Sequence, residues 1–454
     1  MKNIFIKTLS ILLAALFAFG TLSLYSCNST KDKNKKDPDN GEQAEEQENE
    51  AYKDYAMSVL EISTENGSVK SKVVAQKCSV STAHTEDENK ITDQSAKIKG
   101  YGWSTWRMTK KSYLLSFDEK VNLFNIGSGA AKDWVLAANF ADFTMQRSHL
   151  AYTVAKNVLT NIPYVTGSTF VQLYVNGEYE GVYEVLEMVQ FDENRLDYTF
   201  EPGVNDTNYL VRLDFEADIQ IDSDSTVNYF AISSKKYYIE NEGMTAAQLS
   251  YVSAAYNSMM TAIGSGNQKD VEALIDIDSA VDMYILHEFF KNSDVGFSGF
   301  YTVKEKGGKI VFTAPWDFYR CAGNDESIGD YSSKNLFAGD GVTKTDGSNP
   351  IFYRLIRRTW FVDKVVARWN EIKDELANVH SSVNEFDNIY GADIEANFTK
   401  WRGIGEKNDN QPEEVVNMKS YVAQVRYLQQ WIYDRYAWLD SHINSSAFYS
   451  QVKS

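Results

Sequence analysis

The chain has 454 residues, 43% of them hydrophobic and 24% charged, and a formal net charge of −18. That length suffices for one large two-lobed domain or two coupled ones, and the excess of acid disfavours nucleic acid and anionic membrane surfaces, which demand a positive footprint. The five histidines (His84, His149, His287, His380 and His442) show no zinc-ligand spacing, which sets metal-hydrolase chemistry far behind.

Taken in chain order, Met1–Ser26 reads as an export signal. Lys2 and Lys7 form the positive region, residues 11–24 the apolar stretch, and Ser26 a small residue before the cut. Leu24-Tyr-Ser-Cys27 is similar to a lipobox. That resemblance implies a lipidated Cys27 and anchorage to the bacterial membrane or cell surface; the plain alternative is a secreted protein with a chance cysteine. Residues 27–54 form a charged tether, too poor in apolar side chains to fold. The remaining 55–445 form the folded domain. Cys78 and Cys321 could pair there, although a domain of this size does not need a disulfide.

The first part of that domain, to about residue 240, is rich in strand. Val59–Ser63 and Lys72–Ser81 flank an Asn66-Gly67 turn, and Ala96–Gly100 and Ser112–Phe117 alternate as half-buried strands do. Gln146–Asn161 fits a helix. Thr169–Val175 and Glu178–Glu187 form a second hairpin around Asn176-Gly177. From about residue 241 the chain is mainly helical, over Thr245–Ile263, Ser279–Asn292, Asn349–Val379 and Tyr421–His442. A strand pair, Gly299–Lys304 and Lys309–Ala314, turns at Gly307-Gly308, and Ser327–Pro350 reads as a loop beside the cleft. The fold class predicted is α+β in a two-lobed, protein-kinase-like outline, with the site between a β-rich N-lobe and a helical C-lobe.

The chemistry centres on Asn292-Ser-Asp294 and Pro315-Trp-Asp-Phe318. One acidic residue follows a helix and the other ends a strand, the way a phosphate-transferring enzyme carries a carboxylate for the attacking hydroxyl and another for Mg²⁺. An Asp at a strand end is also an ordinary turn residue.

Several segments together resemble the CotH kinase family of atypical protein kinases. They are Lys99-Gly-Tyr-Gly-Trp-Ser-Thr-Trp106 with Lys110-Lys111 after it, Trp134–Asn139 with Asp142 and Arg147, and Leu173–Tyr183 running to Glu187. Asn292-Ser-Asp294, Tyr301, Trp316-Asp-Phe318, Gly323-Asn324 and Arg435–Asp440 complete the series. The resemblance implies ATP and Mg²⁺ as cofactors. It implies Lys111, or alternatively Lys110, on the nucleotide phosphates, and Glu187 orienting that lysine or binding metal. Asp294 would be the catalytic residue at the substrate hydroxyl and Asp317 the Mg²⁺ ligand, with Asn292 supporting the loop or adding a ligand. Arg147 would clamp a phosphate. Each has a structural alternative: a solvated lysine pair, a Glu187 paired with a cation, an Arg147 held by Asp142. Asn176-Gly177 and Gly181 read as hairpin and backbone-approach positions.

The chain departs from the family pattern at Tyr101, Trp103, Met188, Gly299 and Tyr319, each of which removes a charge or polar group from the implied nucleotide site. Two functions follow. One is an exported, membrane-tethered kinase for Ser or Thr on an extracytoplasmic protein, which must find ATP where it is scarce. The other is a pseudokinase that uses the same fold as a surface module for a protein or glycan, its aromatic residues serving as a stacking platform.

Overall fold

The computed structural model describes residues 52–214, 229–339 and 349–452. The export signal, Cys27 and nearly all of the tether lie outside the described residues, as does the 340–348 portion of the loop expected over Ser327–Pro350.

Seven strands come first: β1 (Ser58–Thr64), β2 (Gln76–Ala83), β3 (Gln94–Tyr101), β4 (Ser112–Val121), β5 (Ala131–Ala137), β6 (Ser168–Val175) and β7 (Glu178–Glu187). They close into a barrel in the order β1-β2-β3-β4-β5-β7-β6, sealed by parallel pairing of β1 with β6, Leu60 opposite Leu173. Side chains alternate across each strand. On β5 and β7 the inward set Trp134, Leu136, Tyr183 and Val185 joins the barrel core, while Val135, Val182 and Leu186 face outward into a second, larger core. The β6–β7 hairpin turns at Asn176-Gly177, both with positive φ, as that dipeptide predicts. Around Asn66-Gly67 the hairpin is looser than expected, because β2 begins only at Gln76.

The second sheet has the order β12-β11-β8-β10-β9, built from β8 (Tyr209–Asp214), β9 (Tyr229–Ile232), β10 (Lys235–Ile239), β11 (Phe300–Lys304) and β12 (Ile310–Thr313). The longer helices are α1 (Arg147–Asn157), α2 (Ala246–Ser265), α3 (Ile277–Phe290), α4 (Thr359–Leu376), α5 (Val379–Lys400) and α6 (Tyr421–Ile443). Their starts follow capping chemistry. Thr245 and Gln248 form a capping box on α2, Asp276 accepts from Ser279 N–H on α3, and Ser420 accepts from Ala423 N–H on α6.

The coarse expectation holds: a mixed fold with a sheet-rich N-terminal region and a helical C-terminal one. A closed barrel stands where clearly kinase-like lobes were expected, and β8, counted with the first lobe, pairs with β11, Tyr301 opposite Arg212. The single helix expected over Asn349–Val379 is broken between residues 355 and 359, and α5 was not anticipated. Cys78 and Cys321 are both free thiols, Cys78 in the barrel core and Cys321 in the larger core.

Candidate functional site

A cavity of about 520 Å³ lies against the outer face of β5 and β7, within the range of small-molecule sites. Val135, Ala137, Glu184 and Leu186 form its floor, with Ala137 directly opposite Glu184 in the ladder. The Tyr101–Thr105 segment and Met108 cover one side, the end of β8 contributes Arg212 and Asp214, and two turns supply Asp294 and Asp317.

Each turn is fixed by local chemistry. Helix α3 stops where Lys291 adopts φ 46°, and Asn292 then caps a short 3₁₀ turn, its Oδ1 accepting from Asp294 N–H at 3.1 Å. The Asp294 carbonyl accepts from Phe297 N–H at 2.9 Å and Ser298 N–H at 3.0 Å, which holds the carboxylate at the cavity wall. Past β12, Asp317 sits at φ 65°, a left-handed conformation that Asp tolerates better than most residues, and its N–H donates to the Tyr152 hydroxyl at 3.3 Å. Gly299 explains itself here. At φ +67° it lies so close to this turn that a Cβ would come within 3.1 Å of both Asp317 Cβ and the Trp316 carbonyl oxygen.

Asp294 is engaged by Arg320, Nη1 to Oδ1 at 3.6 Å, and the same guanidinium reaches Asp325 at 2.7 Å and Asp409 at 3.8 Å. Burial pushes the Asp294 carboxyl up to about 7; Arg320 opposes the rise, while Asp325, Asp409 and Asp214 add to it. Tyr319 also lines the cavity, and its hydroxyl lies 3.1 Å from Ser104 Oγ and donates to Asp409 at 3.4 Å. Trp103 stacks on the Arg107 guanidinium at 3.8 Å.

The other residues singled out in the sequence lie elsewhere. Lys110 is fully buried, its Nζ donating to the carbonyls of Ala138 and Val182 and to Asn397 Oδ1 of α5, and burial holds its pKa well below the usual lysine value. Lys111 donates to the Trp106 carbonyl at 2.6 Å. Glu187 is spent on structure. Arg195 pairs with it at 2.6 Å, and the N–H groups of Ser128 and Gly167 donate to it at 2.8 Å each. Arg147 is fully buried and forms an ion pair with Asp142, whose carboxylate also caps Thr144 and Arg147 N–H. Asn292 supports the turn and does not line the cavity. Gly181 does serve close approach, since a Cβ would collide with Asn397 and Trp401 of the α5 end.

Of the residues predicted for the site, the structure therefore brings Asp294 and Asp317 into one cavity and leaves Lys110, Lys111, Glu187, Arg147 and Asn292 outside its lining. It adds Glu184, Arg212, Asp214 and Arg320. Glu184 is fully buried; its Oε2 accepts from Asn139 Nδ2 at 2.7 Å, and burial raises its pKa to about 7. The folded state thus holds the Glu184 proton more tightly than the unfolded chain does. The resulting stability is fully present below the ordinary glutamate value and is lost as pH rises through about 7. Thermal unfolding between pH 5 and pH 8 should show that decline, to which Asp294, also pushed up to about 7, contributes with the same sign; Glu184→Gln should lessen it, and an identical slope in the variant would remove Glu184 as a source.

The carboxylates of Asp294 and Asp317 offer the hard oxygen donors that Mg²⁺ takes. Among the described residues no group of three or more His, Cys, Asp or Glu side chains could hold a metal by itself. Mg²⁺ held by one or two carboxylates and completed by phosphate oxygens needs no such group.

Comparison with known families gives the same direction. The family described as CotH kinase protein matches residues 96–439. The chain belongs to that family. No curated protein matches it.

Proposed function

We propose that this protein is an exported, lipid-anchored atypical kinase that binds ATP with Mg²⁺ in the barrel-side cavity and phosphorylates Ser or Thr of an extracytoplasmic protein. The observation that carries this reading is the convergence of Asp294 and Asp317, from separate turns, on one cavity within a family of kinases. In this reading Cys27 carries the lipid, residues 27–54 hold the domain off the membrane, and residues 55–445 form the kinase domain.

Asp317 would hold Mg²⁺, which supplies charge neutralisation at the phosphates when bound. Asp294, held at the wall by its own turn, would take the proton of the attacking hydroxyl. Phosphate-side cations would come from Arg320 and Arg212, since both guanidinium groups line the cavity and the lysine pair does not. The apolar floor of Val135, Ala137 and Leu186 suits a flat ring.

ATP should raise the unfolding midpoint of the purified protein only when Mg²⁺ is present, and Asp317→Ala should abolish the rise, because a ligand specific to the folded state stabilises it by mass action. No shift at millimolar ATP would sink the nucleotide reading. A second reading, a pseudokinase that binds a protein or glycan ligand, is favoured by two observations: Arg320 already occupies Asp294, and the neutral phenol of Tyr319 stands two residues past Asp317. Indifference of the unfolding midpoint to ATP and Mg²⁺, in the wild type as in Asp317→Ala, would select it.

A further inference from the structure

The outer face of β2 and β3 carries a row of cations that leads to the cavity. Cys78 and Val80 of β2 and Ala96 and Ile98 of β3 belong to the barrel core, so Lys77, Lys97 and Lys99 point outward. Lys77 stands directly opposite Lys97 in the ladder, a like-charge pairing that is unfavourable in a sheet. Among the described residues none of Lys77, Lys97, Lys99 and Arg107 makes an ion pair, although acidic side chains outnumber basic ones by 63 to 45 in the chain. The carboxylates of the neighbouring strands are engaged elsewhere, Asp118 by the Ser95 hydroxyl and Asp133 by the Ser116 hydroxyl. Tyr101, which lines the cavity, continues the two-residue period of Lys97 and Lys99, and Lys99 is therefore roughly 7 Å from it along the strand. Trp103, also in the lining, carries Arg107 on its ring, with Lys72 over the same ring at 5.7 Å.

We propose that this face docks an acidic segment of the protein substrate, laid in extended form from the cavity mouth along β3. This rests on the reading of the protein as a Ser/Thr kinase. The contact is made by side chains, because the closed barrel offers no backbone edge there. An extended peptide repeats its side chains on one side at the spacing of a strand, so alternate Asp or Glu residues meet Lys99 and Lys97 in turn. That match of spacing favours a polypeptide over an anionic glycan, and complementary charge sets which polypeptide is accepted.

The test follows the fluorescence anisotropy of labelled peptides, each with one Ser between runs of Glu or of Gln, on the purified protein without nucleotide at low ionic strength. The wild type should bind the Glu peptide roughly 10-fold more tightly, the joint effect of a few exposed ion pairs, and added salt should erase the difference. Combining Lys77→Glu, Lys97→Glu and Lys99→Glu should reverse the preference. Lys97→Glu alone places a carboxylate opposite Lys77, so its unfolding midpoint should not fall while its preference weakens. With ATP and Mg²⁺, transfer to the Glu peptide should show the lower KM, and Lys97→Glu should raise that KM with kcat unchanged. Equal affinities for the two peptides in the wild type would overturn the docking face and leave the kinase reading intact, and that comparison requires no variant to fold. Tighter binding of a sulfated oligosaccharide than of the Glu peptide would overturn the peptide in favour of a glycan. A Glu preference without transfer to either peptide would overturn the kinase reading, and with it the role of the acidic partner as substrate.

Discussion

Replacing Asp294 by Asn is expected to slow phosphoryl transfer by roughly 10²- to 10⁴-fold, the usual contribution of a positioned general base, with ATP affinity little changed. The substitution conserves shape. The turn is held by backbone groups of residues 294, 297 and 298 and by the Asn292 amide, so the side chain is free to change without moving the wall. Arg320 would keep Asp325 and Asp409 as partners. Because burial pushes Asp294 up to about 7, its carboxyl is half protonated near neutrality. The wild-type rate should therefore climb as pH rises through that value, and the residual rate of the variant should not. Transfer of labelled phosphate to a Ser/Thr-rich acceptor such as casein, followed across pH 6 to 9, measures both. Full activity in the variant would remove Asp294 from the chemistry.

The second large effect concerns stability. Arg147→Ala should cost about 3–5 kcal/mol, because removing one member of a buried ion pair leaves the other charge buried and uncompensated. Asp142 and Arg147 are both essentially inaccessible, and Asp142 also organises the Thr144 turn that starts α1. Denaturant unfolding should show a markedly lower midpoint, while ATP affinity of the folded protein stays close to wild type. The reverse outcome, intact stability with lost nucleotide affinity, would make Arg147 the phosphate clamp that its family resemblance suggested.

How the sequence announced the site is best judged residue by residue. Asp294 and Asp317 were legible because each follows an element whose end is marked locally, α3 by its apolar spacing and β12 by its apolar run. Glu184 was equally legible in principle. Side chains on β7 alternate, so Glu184 shares a face with Val182 and Leu186, while Glu187 shares one with Tyr183 and Val185 and turns toward the barrel side. The family motif points to Glu187, whereas the strand period puts the two glutamates on opposite faces. Lys110 could not have been placed from sequence, since its partners, the carbonyls of Ala138 and Val182 and the amide of Asn397, come from distant segments. Arg320 and Arg212 were invisible for a similar reason: their roles depend on which turn each strand end meets. Helix α5 escaped notice because Ser, Asn, Asp and a mid-helix Gly391 dilute its buried stripe of Val383, Phe386 and Ile394. The barrel was missed because its closing step is a parallel pairing between β1 and β6, far apart in the chain.

That closing step also limits how another chain can attach. A strand at the margin of a sheet offers unpaired N–H and C=O groups on which an extended peptide can build. In the barrel every strand has a neighbour on both sides, so no such template is presented there. In the second sheet, β12 is partly occupied, with Ile310 exchanging backbone hydrogen bonds with Leu274 and Asp276. Among the described residues this leaves β9, where Tyr229 is exposed, as the margin open to strand addition. A polypeptide captured in extended form would extend the five-stranded sheet, on the opposite margin from the strand that leads into Asp317.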